Sequence, residues 1–120
     1  MKYMLMIYAN QATWEAFSAE EQRKGIAEQD AFNKRFFESG ELLGAYGLAD
    51  AVAAKTVRVR QGAPTVTDGP YLESKEYLAS YYLIDCDSEE RAVELAAEMP
   101  WASVSAVELW PLLHEAGSEA

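Results

Sequence analysis

Residues 2–9, Lys2-Tyr3-Met4-Leu5-Met6-Ile7-Tyr8-Ala9, carry apolar side chains at odd and even positions alike. A strand of that composition must be covered on both faces, which confines it to the middle of a sheet. The run has one positive charge, no small-residue cleavage site and too few residues for export, so it reads as a buried strand and not as a signal peptide. Leu78 to Asp85 has the same character and makes a second strong strand. Between and after these two lie helices with clear punctuation. Ser18-Ala19-Glu20-Glu21 has the spacing of a capping box, in which each side chain satisfies the other residue's backbone amide. The helix it opens is expected to run to Ser39, with Gly40 as its stop. Asp87 and Ser88, followed by Glu90, cap another helix that ends near Met99 before Pro100.

The remaining strands are weaker. Leu42 to Leu48 reads as one, and Val104 to Trp110 as the last. Lys55 to Arg60 alternates Val57 and Val59 with Arg58 and Arg60, the pattern of a half-buried strand. Gln61-Gly62-Ala63 turns it into Pro64-Thr65-Val66-Thr67, an edge-type strand that tolerates its proline. Asp68 to Tyr77 is expected to be an irregular loop, and residues 10–17 a polar connection carrying Trp14. The order is strand–helix–strand, a hairpin, then strand–helix–strand. Two such halves fold as a ferredoxin-like split βαβ, an α+β sandwich with both helices on one face of an antiparallel sheet. The whole chain, 1–120, is then one domain with a short polar tail over 113–120. Helices cover only one face of that sheet, so the doubly apolar strands require a second cover. Another copy of the chain is the simplest, and a homodimer is expected.

Charge and cysteine content narrow the function classes. The chain carries 20 acidic and 10 basic residues, a net charge of −10. That disfavours nucleic acid, whose phosphates are held by Lys and Arg, and anionic membrane surfaces. No apolar stretch nears the roughly 20 residues of a membrane helix. The basic residues cluster, with Lys55, Arg58, Arg60 and Lys75 close in sequence, and read first as solvated strand faces. Cys86 is the only cysteine, which excludes an internal disulfide and fits a cytoplasmic setting. One histidine, His114, and one cysteine do not make a four-ligand zinc site, and a tail histidine is a poor haem ligand. No metal or cofactor is expected.

On the first helix, a 100° step gathers Gly25, Ile26, Gln29, Phe32, Asn33, Phe36 and Phe37 on one face. Gln29 sits at its centre with Asn33 one turn on. A buried carboxamide without a partner costs a few kcal/mol, so these two either pair or line a cavity between helix and sheet. Tyr8, Tyr46, Tyr81 and Tyr82 lie on strands within reach of such a pocket.

Asp68-Gly69-Pro70-Tyr71-Leu72-Glu73-Ser74-Lys75-Glu76 resembles the signature of the DGPF proteins, a branch of the YCII-related family. The resemblance extends to the opening Lys2–Tyr8, to Thr56–Arg60, to Tyr81-Tyr82-Leu83-Ile84 and to Glu108-Leu109-Trp110-Pro111. It implies a ferredoxin-like dimeric α/β barrel. Genes of this branch often sit beside those of extracytoplasmic-function sigma factors, so it also implies a regulatory module with a sigma-factor partner. YCII-type relatives carry a His and an Asp suspected of forming an active-site pair, and the wider superfamily includes cofactor-free monooxygenases, lactone isomerases and haem enzymes. Where many relatives have that His, before an acidic-Ala-Phe run, this chain has Gln29. Glutamine exchanges no proton near neutral pH, which weakens a histidine mechanism. Ala79 and Ser80 stand where relatives tend to have glycine, and their side chains narrow any pocket there. Tyr71 replaces the Phe of the motif's name.

Asp68 is the candidate for a catalytic or ligand-binding carboxylate, against the simpler role of a turn residue bonding its own backbone. Glu73 and Lys75 are expected to form a salt bridge that pins the loop, and Lys75 near Asp68 would lower the carboxyl's pKa. Two functions follow as expectations. The first is a small-molecule-binding or regulatory domain using Gln29, Asn33, Tyr8, Tyr46, Tyr81, Glu73 and Lys75. The second is a cofactor-free enzyme, an isomerase, monooxygenase or hydrolase, moving protons with Asp68 and tyrosine hydroxyls.

Overall fold

A computed structural model describes residues 1–72 and 75–117. In chain order the elements are β1 (Lys2–Ala9), α1 (Gln11–Ala16), α2 (Ala19–Ser39), β2 (Leu42–Gly47), β3 (Lys55–Arg60), β4 (Ala63–Asp68), β5 (Tyr77–Asp85), α3 (Glu89–Glu98) and β6 (Val107–Pro111). Short 3-10 turns occupy Ala51–Ala53 and Pro100–Ser103. Four strands form one antiparallel sheet in the order β2-β5-β1-β6. The apolar strands β1 and β5 therefore take its centre, and the two βαβ halves interleave as a ferredoxin-like α+β fold.

Local signals account for most boundaries. Ser18 Oγ accepts from the Glu21 amide at 3.1 Å, and Glu21 Oε1 accepts from the Ser18 amide at 2.9 Å, so the capping box opens α2 as its spacing requires. Gly40 closes the helix at φ 84°, a left-handed conformation that glycine adopts without steric cost. Ser88 caps α3 by accepting from the Arg91 amide. The β3–β4 turn places Gln61 and Gly62 both at positive φ, the condition of a type I′ hairpin.

The sheet buries Tyr3, Leu5 and Ile7 of β1, Leu42 of β2, and Tyr82 and Ile84 of β5 against Phe32 and Phe36 of α2 and Ala92 and Leu95 of α3. The Phe32 and Phe36 rings pack tilted to each other at 4.8 Å, and Phe32 meets Tyr82 edge-on at 6.5 Å. Cys86 lies in the same core, consistent with a structural thiol, and burial pushes its pKa up. Among the described residues, no helix is long and apolar enough to cross a membrane.

Several expectations are corrected. The connection after β1 contains a helix, α1, whose N-cap Asn10 accepts from the Ala12 amide at 2.8 Å. At six residues it is too short to show a period. The last strand begins at Val107 because Pro100–Ser103 forms a 3-10 turn first. Asp68 ends β4 and Tyr77 starts β5, so the loop between them is shorter than the sequence suggests. Ile26 (53% exposed) and Phe37 (47%) leave the core-facing stripe of α2. The helix buries a narrower arc than its apolar face spans, Phe32 and Phe36, and its N-terminal half lines a cleft.

One ion pair ties helix to strand. Arg91 of α3 donates through Nε and Nη2 to both oxygens of Glu41, just before β2, at 2.8 and 2.9 Å. The bidentate bonds from Arg91 hold the Glu41 carboxyl below its ordinary 4.5. Because the folded-state value is the lower one, this stabilisation is complete above 4.5 and is lost as pH falls through the folded value. Glu41→Gln is thus expected to lower the melting temperature near pH 7 and to lower it progressively less as the pH is taken into the acid range. A penalty of equal size at every pH in calorimetric scans would show that the charge contributes nothing.

Candidate functional site

One end of the helix-covered side of the sheet is a cleft of about 710 Å³. The C-terminal end of β1, the start of β5, α1, the N-terminal half of α2 and the Pro100–Ser103 turn form its walls. Its floor has an irregular backbone. Ile7 pairs with Ser80 but Tyr8 pairs with Leu78, which leaves Ala79 bulged out of the ladder. Bulges of this kind re-aim side chains and gather beside functional sites. Ala79 and Ser80 both line the cleft.

Aromatic side chains make the apolar wall. Trp14 of α1 lies 6.2 Å from Phe17 and 6.5 Å from Trp101, ring centre to ring centre. Trp101 is held in place by its indole Nε1, which donates to the Tyr8 carbonyl at 2.9 Å. Gln22 Nε2 donates to the Trp14 carbonyl at 3.0 Å and fixes α1 against α2. Across from this wall stand polar groups. Tyr77 Oη donates to Gln11 Oε1 at 3.0 Å. Gln29 is half-buried in the lining, and its Nε2 donates to Asn33 Oδ1 at 2.9 Å. The carboxamide expected at this position therefore has both a partner and a place in a cavity wall. One N–H of the carboxamide is given to Asn33, which leaves the amide oxygen as an acceptor and the second N–H as a donor.

The ionisable groups of the lining are Glu21, Lys24, Glu28 and Asp50 together with the phenols of Tyr77 and Tyr82. Hydrogen bonds from Ser18, chiefly its backbone amide, hold the Glu21 carboxyl low, so it remains ionised as a cap. Burial pushes the Tyr82 phenol above 10.0, so it remains protonated. Among the described residues, no group of three or more His, Cys, Asp or Glu side chains is disposed to hold a metal ion.

The other residues singled out from the sequence lie elsewhere. Tyr46 and Tyr81 stack at 5.0 Å on the sheet face away from the helices. Tyr8 is on that face too, where burial and the neighbouring Glu108 carboxylate push its phenol up. Only Tyr82, of the four tyrosines, faces α2. Asp68 ends β4 with 83% of its side chain exposed, ion-paired across the hairpin to Lys55 and absent from the cleft lining. The cation beside Asp68 is thus Lys55, while Lys75 is exposed. Glu73, and with it the expected Glu73–Lys75 bridge, lies outside the described residues. Trp101 and Tyr77 were not foreseen. The only signal for either was an aromatic next to a chain break, Pro100 in one case and the motif loop in the other.

Comparisons with known proteins agree with this architecture. The YCII-related domain model matches residues 1–114. Uncharacterized protein R00369 of Rhizobium meliloti (strain 1021) is 33% identical over 105 residues, which cover 88% of this chain and 85% of that one. The solved structure of 5-chloro-2-hydroxyhydroquinone dehydrochlorinase (TftG) from Burkholderia phenoliruptrix AC1100, in complex with 2,5-dihydroxybenzoquinone, superposes with a TM-score of 0.55. It covers 96% of each chain at 9% identity, a likeness of fold. With its ferredoxin-like sheet and a family match over nearly its whole length, the chain belongs to the YCII-related domain family.

Proposed function

We propose that this domain binds a small planar aromatic molecule that donates hydrogen bonds and carries no negative charge. One observation carries the reading: the cleft walled by Trp14, Phe17 and Trp101 has Gln29 in its lining, oriented by one N–H bond to Asn33 and with its amide oxygen available as an acceptor. Indole walls suit a flat ring. The free amide oxygen suits a phenol O–H or an amine N–H. The carboxylates of Glu21, Glu28 and Asp50 outnumber Lys24 around the opening and disfavour an anion.

Hydroquinone and benzoate test the reading because they share a ring and differ in what they offer Gln29. Hydroquinone is expected to quench tryptophan fluorescence saturably and benzoate to do so far more weakly. Gln29→Leu is expected to weaken hydroquinone binding about tenfold, the worth of one hydrogen bond in a partly dry site. Its unfolding free energy should change by less than about 1 kcal/mol, since water reaches the half-buried Asn33 left behind. Equal affinity for both probes, or a Gln29→Leu variant that binds as wild type, would sink the assignment.

A catalytic reading ranks second. TftG is named for an activity on a hydroxyhydroquinone, and the fold is shared. In this chain's cleft Glu21 is held as a cap and Tyr82 is pushed up by burial, and Asp68 lies on the hairpin beside Lys55, which leaves Glu28, Asp50 and Tyr77 as the lining groups for proton transfer. Binding therefore ranks first.

The domain also reads as a homodimer closed over the sheet face away from the helices. Met4, Met6, Tyr81 and Leu83, each half-buried, share that face with the exposed Tyr46 and Trp110, and the helix residues of the core lie against the other face. An apolar patch of this breadth on a chain of this size marks an interaction surface.

A further inference from the structure

A hydroxyl both gives and takes hydrogen bonds, so what it asks of a ligand depends on where the protein has sent its single proton. At Tyr77 the answer begins in α1. Asn10 caps that helix, which makes Gln11 its first residue and sets Glu15 one turn further along the same face. Gln11 Nε2 donates to Glu15 Oε1 at 3.0 Å, and Tyr77 Oη donates to Gln11 Oε1 at 3.0 Å. The three groups form a chain with one direction. A carboxylate only accepts, so Glu15 draws the amide nitrogen of Gln11 and leaves the amide oxygen toward Tyr77. An amide oxygen also only accepts, so the phenol spends its proton there. Tyr77, half-buried at the start of β5, therefore offers the cleft an oxygen lone pair and no proton. Ser103 reaches the same polarity by another route. Its Oγ donates to the Pro100 carbonyl at 2.9 Å, within the turn after α3, and it too lines the cleft.

We propose that Tyr77 is a specificity-determining residue of the cleft that accepts from a second hydrogen-bond donor on the ligand, with Gln11 and Glu15 as the positioning residues that fix its polarity. The inference rests on the aromatic-ligand reading above and narrows it. Gln29 lies on α2 and Tyr77 on β5, so a ring that serves both acceptors carries two donors, as a diphenol or an aminophenol does. A ring with one donor serves only one of them. Glu15 takes no part in the contact itself, because it is exposed and outside the cleft lining. Its effect reaches the ligand only through the direction it imposes on Gln11 and Tyr77.

Saturable quenching of tryptophan fluorescence by hydroquinone and by 4-methoxyphenol tests this on the full chain, since the two share a ring and one O–H and differ in the second. Wild type is expected to bind hydroquinone about tenfold more tightly, the worth of one hydrogen bond in a partly dry site. Tyr77→Phe should bring the two probes within about twofold of each other by weakening hydroquinone alone. Glu15→Lys supplies the readout that a merely structural role would not move. An ammonium only donates, so it draws the Gln11 oxygen to itself, turns the amide nitrogen toward Tyr77 and releases the phenol proton to the cleft. That variant should narrow the preference by tightening 4-methoxyphenol, whose ether oxygen then meets a donor. Equal affinity for both probes in wild type, a preference that survives Tyr77→Phe, or a Glu15→Lys variant that leaves both affinities unchanged or weakens both alike would overturn the assignment. Benzoate and Gln29→Leu test the aromatic cleft separately, so either reading can fail alone. Hydroquinone that does not quench saturably would overturn both.

Discussion

Phe32→Ala is expected to remove about 3–5 kcal/mol of unfolding free energy, a large share of what a small domain possesses. The ring is buried in van der Waals contact with Phe36 and edge-on to Tyr82, at the point where α2 presses on the centre of the sheet. Deleting it opens a cavity between two elements that cannot close without moving the helix. Ile26→Ala is the instructive companion. Both residues belong to the same apolar stripe of α2, six positions apart, but Ile26 is half exposed at the cleft mouth. It should cost less than about 1 kcal/mol while weakening aromatic-ligand binding. Urea titrations that find similar midpoint shifts for both variants would show that α2 is seated differently. A change in slope for either would indicate a changed denatured state and not a lost contact.

Met6→Glu is expected to convert a dimer into a folded monomer of 13.3 kDa. Met6 points away from the helices and lies between Tyr81 and Glu108 on neighbouring strands. In a sheet-to-sheet contact the new carboxylate would sit beside Glu108 and face its own copy across the interface. Burying such unpaired charge should weaken association on the order of a hundredfold or more. The fold itself should respond less than to a core substitution, since Met6 lies on the side of β1 away from the helices. Light scattering at micromolar concentration separates the outcomes. A variant that keeps the dimer mass would exclude this face as the contact, and a wild type of monomer mass would exclude the dimer.

The amino-acid sequence by itself determined the elements and their order, because those depend on neighbours along the chain. The Ser18–Glu21 box, the stop at Gly40 and the cap at Ser88 each act within four residues, and each forms as its spacing demands. The two doubly apolar strands were legible as central for the same reason, and the topology follows from the rules that connect such elements. The motif around Asp68 identified the family, which the full-length match bears out.

Tertiary structure decided which side of each strand faces which neighbour, and that is why the site was only half legible. Side chains alternate with a period of two, so a single bulge reverses every assignment beyond it. A register shift between Leu42 and Gly44 turns Tyr46 away from the core that Leu42 joins, and the bulge at Ala79 sets Tyr77 and Ser80 into the cleft floor. Gln29 was found because helical phase survives over short distances. Trp14 and Trp101 were not, because they lie 87 positions apart and meet only when the turn after α3 folds back beside α1. Asp68 carries the same lesson: it ends β4, opposite Lys55 in the hairpin register, and that place in the fold sets the carboxylate away from the cleft lining.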